Sequence, residues 1–297
     1  MKNIYSGSSV IDQIYCGEDR IKNVYLGNTL IWTLDADEPT VLVGDWYVSP
    51  SGDNANDGKT RNTAFQTINY AIDKANSGDT IVVLAGTYEI FTTLNTGTKT
   101  LKIIGEGWDD TTITRASGQN IGLVTLTNGS TIEGFTLTDG RGQYGSGVHV
   151  IDGRVSWCRI QNCYGLGNSD AFGAGVSFTN GQGTVDHCIF TGNTGNTNFR
   201  GVAIGGDSPS GEMLVDTCLI YGNYTPSTTG WGAAIGVRNS SYNITVRNCT
   251  ITNNTSTMYG SVYSEGSGYV GKIVLINDVI VGNKNGSGTE MNIQSNG

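Results

Sequence analysis

"VSWCRI" (Val155–Ile160), "VDHCIF" (Val185–Phe190), "VDTCLI" (Val215–Ile220) and "VRNCTI" (Val246–Ile251) recur at steps of 30, 30 and 31 residues. A fifth copy, "LINDVI" (Leu275–Ile280), follows 29 residues later, and a degenerate one, "IEGFTL" (Ile132–Leu137), precedes the set by 23. Each copy opens on Val, Leu or Ile. Three residues on stand Cys158, Cys188, Cys218 and Cys249, with Phe135 and Asp278 in that slot at the two ends. Eight residues after the opening stand Asn193, Asn223, Asn254 and Asn283, with Cys163 in the first copy; Gly or Asn precedes most of them.

A unit of this length with short apolar pieces predicts a solenoid, in which every strand hydrogen-bonds to its counterpart one turn away. Equivalent side chains then stack about 4.8 Å apart. Apolar slots become an inner column, and Asn at a corner can bond to the Asn of the next turn, satisfying a buried bend. Thiols at that spacing are close enough to bridge, but a reduced column of small buried hydrophobes is the expectation. No C-x-x-C pair or His partner accompanies them, so metal binding is not expected.

Bulk composition agrees. The 297 residues include 44 Gly and only 4 Pro, 14 % are charged, and 37 % are hydrophobic. That suits many short strands joined by tight turns around a real core. The net charge of −9 argues against a nucleic-acid partner. No apolar run is long enough to span a membrane. Met1–Gly7 shows no apolar signal region, so secretion is not expected and the sequons at Asn243, Asn248 and Asn254 are expected to be unused.

Upstream of the repeats, Tyr47-Val48 reads as a strand. Phe65, Ile68, Ala71, Ile72 and Ala75 fall at helical spacing, with Thr63 as N-cap and Gly78 beyond the end. Ile81–Leu84 reads as the next strand. The residues Tyr47-Val48-Ser49, Asn56-Asp57-Gly58, Phe65–Ile68, Gly78–Ile81 and Gly86-Thr87-Tyr88 resemble the N-terminal capping segment of right-handed parallel β-helix proteins of the pectate-lyase-like superfamily. With the repeats, the resemblance runs from Trp46 to the C-terminus. It implies an all-β fold: a right-handed parallel β-helix solenoid with an N-terminal capping helix. The loop Asp53–Gly58 has the rhythm of a Ca²⁺ loop, but Ala55 stands at the third ligand and Ala64 at the twelfth, so a turn is the default and Ca²⁺ the alternative.

Enzymes with this fold imply charged residues on one outer face: a Lys or Arg base with Ca²⁺ in the lyases, paired carboxylates in the hydrolases. Asp186 and Asp216 share a slot in adjacent coils, with Arg247 next in line. His187 adjoins Asp186, and Arg200, Asp207 and Glu212 lie in neighbouring loops where they could converge. The plainer reading is a solvated face, and no catalytic motif of the family is matched. A second series, Tyr144, Phe172, Phe199, Trp231 and Tyr259, places an aromatic just before a Gly in successive coils. Stacked, these rings would either offer platforms to sugar rings or pack a wide corner of the core.

The first residues say nearly one thing three times, at ten-residue steps: Ile4-Tyr5-Ser6-Gly7, Ile14-Tyr15-Cys16-Gly17, Val24-Tyr25-Leu26-Gly27. Each unit reads as strand, Gly-centred turn, strand. So small a piece needs a partner surface. Its end, "VYLGNTLIW", resembles short N-terminal modules of bacteriophage tail and baseplate proteins. The resulting layout is an attachment module (1–34), a linker (35–45), a β-helix cap (46–89) and coils (90–297). The implied role is a virion tail spike or fibre, trimeric, attached through residues 1–34 to other tail or baseplate proteins. It would bind a host surface polysaccharide after assembly in the host cytoplasm. The alternatives are a polysaccharide lyase or hydrolase, and a structural rod without ligand.

Overall fold

The repeats meet in register. In a computed structural model, Ile132, Val155, Val185, Val215, Val246 and Leu275 pair in succession along one parallel sheet. Ile160, Phe190, Ile220, Ile251 and Ile280 do so along the next. The 23-residue step closes in the same register as the longer ones, because its excursion between strands is shorter. The structure describes residues 4–6, 9–11, 15–16, 19–20, 23–26, 29–33, 42–167, 171–178, 181–196, 199–207, 211–226, 232–238, 243–257, 260–265 and 273–296.

The chain divides into two compact units, Met1–Leu42 and Val43–Gly297. In the first, each ten-residue unit is an antiparallel hairpin: Ile4–Ser6 with Ser9–Ile11, Tyr15–Cys16 with Asp19–Arg20, and Asn23–Leu26 with Thr29–Thr33. The second is an all-β parallel solenoid. One coil visits four sheets in turn, as in Asp152–Ser156, Arg159–Gln161, Tyr164–Gly165 and Val176–Ser177. Among the described residues these sheets hold nine, eight, six and eight strands.

Two recurring backbone devices make the corners. Between the first and second sheets one residue per coil is left-handed: Gly134, Trp157, His187, Thr217, Asn248 and Asn277, with φ between 50° and 80°. Between the second and third sheets the same conformation falls on Asn162, Gly192, Gly222, Asn253 and Gly282. This explains the Gly or Asn before each ladder Asn, since these residues enter that region at least cost.

Inside the second corner runs the amide ladder. Asn193 Nδ2 donates to Asn223 Oδ1 (3.0 Å), Asn223 Nδ2 to Asn254 Oδ1 (2.9 Å), and Asn254 Nδ2 to Asn283 Oδ1 (2.9 Å). Each Oδ1 also accepts the backbone N–H of the preceding coil's ladder residue, starting at Cys163, and Asn292 closes the far end. Cys158, Cys188, Cys218 and Cys249 are buried free thiols. Burial pushes Cys188 upward and Cys163 to about 12, so these two thiols are packing groups rather than nucleophiles.

The helix begins later than expected. Thr60 and Thr63 cap each other around a short 3₁₀ turn, and Ala64 is extended. Phe65 then bridges to Val48. The α-helix spans Ile68–Lys74 with Thr67 as N-cap, and buries Ile68, Ala71 and Ile72. No helix among the described residues is long and apolar enough to cross a membrane.

Candidate functional site

Alternation along the first-sheet strands puts Asp152, Arg154 and Ser156 outward and Val155 inward, and the register repeats this in each coil. Three outward columns result. One reads Asp152, Gln182, Glu212. The middle one reads Arg154, Thr184, Leu214, Thr245. The third reads Ser156, Asp186, Asp216, Arg247.

The first two columns except Arg154, together with Arg247, line an open groove of about 750 Å³, with Thr184, Leu214 and Thr245 as floor and Asp152, Gln182 and Glu212 as wall. Gly211 leaves room for the Gln182 side chain in the wall: a Cβ there would sit 1.9 Å from Gln182 Oε1 and displace it.

The third column is a ridge of ion pairs. Arg154 grips Asp186 with two bonds, Nε to Oδ2 at 2.6 Å and one terminal nitrogen to Oδ1 at 2.9 Å. Ser156 Oγ donates to the same Oδ1 (2.6 Å), and His187 Nδ1 lies 2.9 Å from it. Arg247 Nε donates to Asp216 Oδ2 (2.8 Å), and Asn248 Nδ2 to Oδ1 (3.0 Å). Burial pushes both carboxyls up, but the Arg, Ser, His, Asn and Thr hydrogen bonds outweigh it and hold both below the usual carboxylate range. Neither therefore carries the proton that a paired-carboxylate glycosidase needs on its acid.

Sequence reading missed the aromatic feature beside this ridge. Trp157 and His187, both left-handed, stack at 4.4 Å and 13°, and Trp108, two coils before Trp157, lies 6.1 Å from it across the coil of Gly134. Bulky residues at positive φ are strained, and no motif in the sequence marks them.

The expected aromatic series is placed differently. Tyr144 is partly buried and bridges to Phe172. Phe172 and Phe199 are fully buried and present no face to a sugar; packing describes these two. Phe172 pairs with Arg200 in the next coil, and Phe199 pairs with Ala171, one residue out of line. The Phe199 ring fills the space over Gly165 and Gly195. Trp231 and Tyr259 lie outside the described residues.

Of the loop candidates, Arg200 lies against the Phe172 ring and Asp207 binds Arg238, which lies against the same ring, while Glu212 lies elsewhere. Buried Arg200 lies 5.6 Å and half-buried Arg238 5.2 Å from the Phe172 ring, and Asp207 bonds Arg238 at 3.2 Å. Glu212 lies in the groove. In the Asp53–Gly58 loop, Asp53 and Asp57 accept the N–H groups of Ala55 and Lys59, and Asn54 accepts those of Gln66 and Thr67, so the side chains serve turns. Among the described residues no three His, Cys, Asp or Glu side chains group as a metal site.

The fold is similar to several solved structures. One is a pectin methylesterase from carrot, at 12 % identity and TM-score 0.45, covering 87 % of this chain and 89 % of that one. Another is the pectate lyase Pel9A, at 15 % and 0.45, covering 76 % and 57 %. A third is a rhamnogalacturonan lyase, at 15 % and 0.43, covering 79 % and 65 %. A comparison with curated proteins finds no match. Residues 117–296 match the family model described as right handed beta helix region, which covers more than half of the sequence and all of the groove. The chain belongs to the right-handed β-helix family.

Proposed function

We propose that this protein is a tail-spike- or fibre-like component of a bacteriophage virion, whose solenoid holds a host surface glycan in the first-sheet groove. The observation that carries the reading is the groove itself. It is open, with a polar wall and a floor that mixes Thr184 and Thr245 with Leu214, and it runs across successive coils, as an extended chain ligand requires. The ion-paired ridge beside it favours binding over hydrolysis, because Asp186 and Asp216 are both held in the charged form. The three N-terminal hairpins supply a candidate attachment module, and a trimer is the assembly that this role calls for.

The alternative is a polysaccharide-cleaving enzyme. It draws on Asp186 fixing His187 Nδ1 beside the groove, the arrangement of an oriented general base. One experiment separates the readings. The full chain is incubated with an array of bacterial surface polysaccharides, and both retention and glycan length are read. Retention without shortening is the expected result. Shortening would make it a depolymerase, and no retention would make it a structural rod. Light scattering on the full chain checks for the trimer.

A further inference from the structure

The groove's charge narrows what it can hold. Three carboxylates on the outer face of the first sheet have a cation: Glu133 has Lys102, Asp186 has Arg154 and Asp216 has Arg247. Asp152 and Glu212, the two in the groove wall, have no ion-pair partner among the described residues. The cation in the lining, Arg247, is committed to Asp216 through two nitrogens, at 2.6 and 2.8 Å. A ligand in the groove therefore meets two uncompensated negative charges and neutral hydrogen-bonding groups from Gln182, Thr184 and Thr245.

The spacing is set by the register. Asp152 pairs with Gln182, and Gly183 pairs with Met213, which puts Glu212 over Gln182. The two carboxylates thus stand two coils apart, about 10 Å along the axis, with an amide between them. A polyanionic glycan would be repelled at both points.

We propose that the groove selects a glycan whose sugars carry free amino groups, with Asp152 and Glu212 each accepting an ammonium. This rests on the glycan-binding reading above and adds the chemical class of the ligand. Gln182, between them, bonds the hydroxyls of the intervening sugar.

The test is calorimetric titration of the full chain with three hexamers of equal length: chitosan oligosaccharide, its fully N-acetylated form, and oligogalacturonate. The chitosan hexamer is expected to bind at least about tenfold more tightly than the acetylated one, with the preference shrinking at high salt. The double variant Asp152→Asn, Glu212→Gln should lose that preference and keep the affinity for the acetylated form. Glu89→Gln, an exposed acid on the second sheet, should change neither, which excludes general attraction of a polycation to an acidic protein. Circular dichroism confirms that the variants fold.

Equal or tighter binding of the galacturonate or the acetylated hexamer overturns the amine assignment and leaves glycan binding standing. So does an unchanged chitosan preference in the double variant. Binding of none of the three also overturns the assignment, and glycan binding is then decided by the polysaccharide array.

Discussion

Two ladders climb the solenoid, one inside and one outside, and the same register has opposite consequences for them. Parallel in-register coils put like on like about every 4.8 Å. For Asn193, Asn223, Asn254 and Asn283 this suits the chemistry, because an amide is both donor and acceptor and each copy satisfies the next. For Asp186 over Asp216 it does not, because like charges directly opposite repel. The outer ladder is therefore bounded by Arg154 below and Arg247 above. Neutral reciprocal groups can repeat without limit in this fold, whereas charges must be broken up.

The strongest way to break this comparison is to cut the inner ladder. Asn223→Ala removes the acceptor of the buried Asn193 N–H and one acceptor of its amide. The expected loss is about 3 kcal/mol by chemical denaturation, since buried groups are left unpaired. Next comes Asp186→Ala. The aspartate is 5 % exposed but its partner Arg154 is 52 % exposed and can rehydrate. The loss should therefore be about 2 kcal/mol, below that of a fully buried pair.

Arg247→Asp would extend the acidic run to three coils. It should lower the melting temperature more than Arg247→Asn does, and added salt should restore most of the difference.

The smallest effect concerns pH. Asp186 and Asp216 have folded values below their ordinary 3.8. Their stabilising contribution is full above about pH 4 and is lost as pH falls through the folded values. The melting-temperature gap between the native protein and Asp216→Asn should thus close under acid, measured by a pH series of thermal melts.

Much of the fold was legible because in-register stacking writes one residue type into one slot. Val155, Val185 and Val215 announce a shared sheet, and the Asn and Cys series announce shared corners. Where the backbone demand is met by an unusual residue, the signal vanishes. Trp157, His187 and Thr217 sit where Asn248 and Asn277 sit, yet nothing in their types suggests a left-handed corner. The aromatic series departs from a straight row for a related reason: a one-residue offset sends Phe199 opposite Ala171 and Arg200 opposite Phe172. The helix start was misplaced because Thr63 is a capping residue, but for a 3₁₀ turn. The groove wall fell outside the repeated motif, so Asp152 and Gln182 were not singled out. Asp186 and Asp216 were visible because they lie within it.

The amide ladder also governs how long such a rod can be. Asn223 takes bonds from the coil on one side and gives them to the coil on the other, in the same geometry as its neighbours. A complete extra turn inserted between Asn223 and Asn254 would find both of its hydrogen-bonding obligations already met. A fractional turn would strand a donor in the interior. Reach is thereby quantised: the protein can lengthen or shorten by duplication or loss of whole turns, each moving the far end by about 4.8 Å.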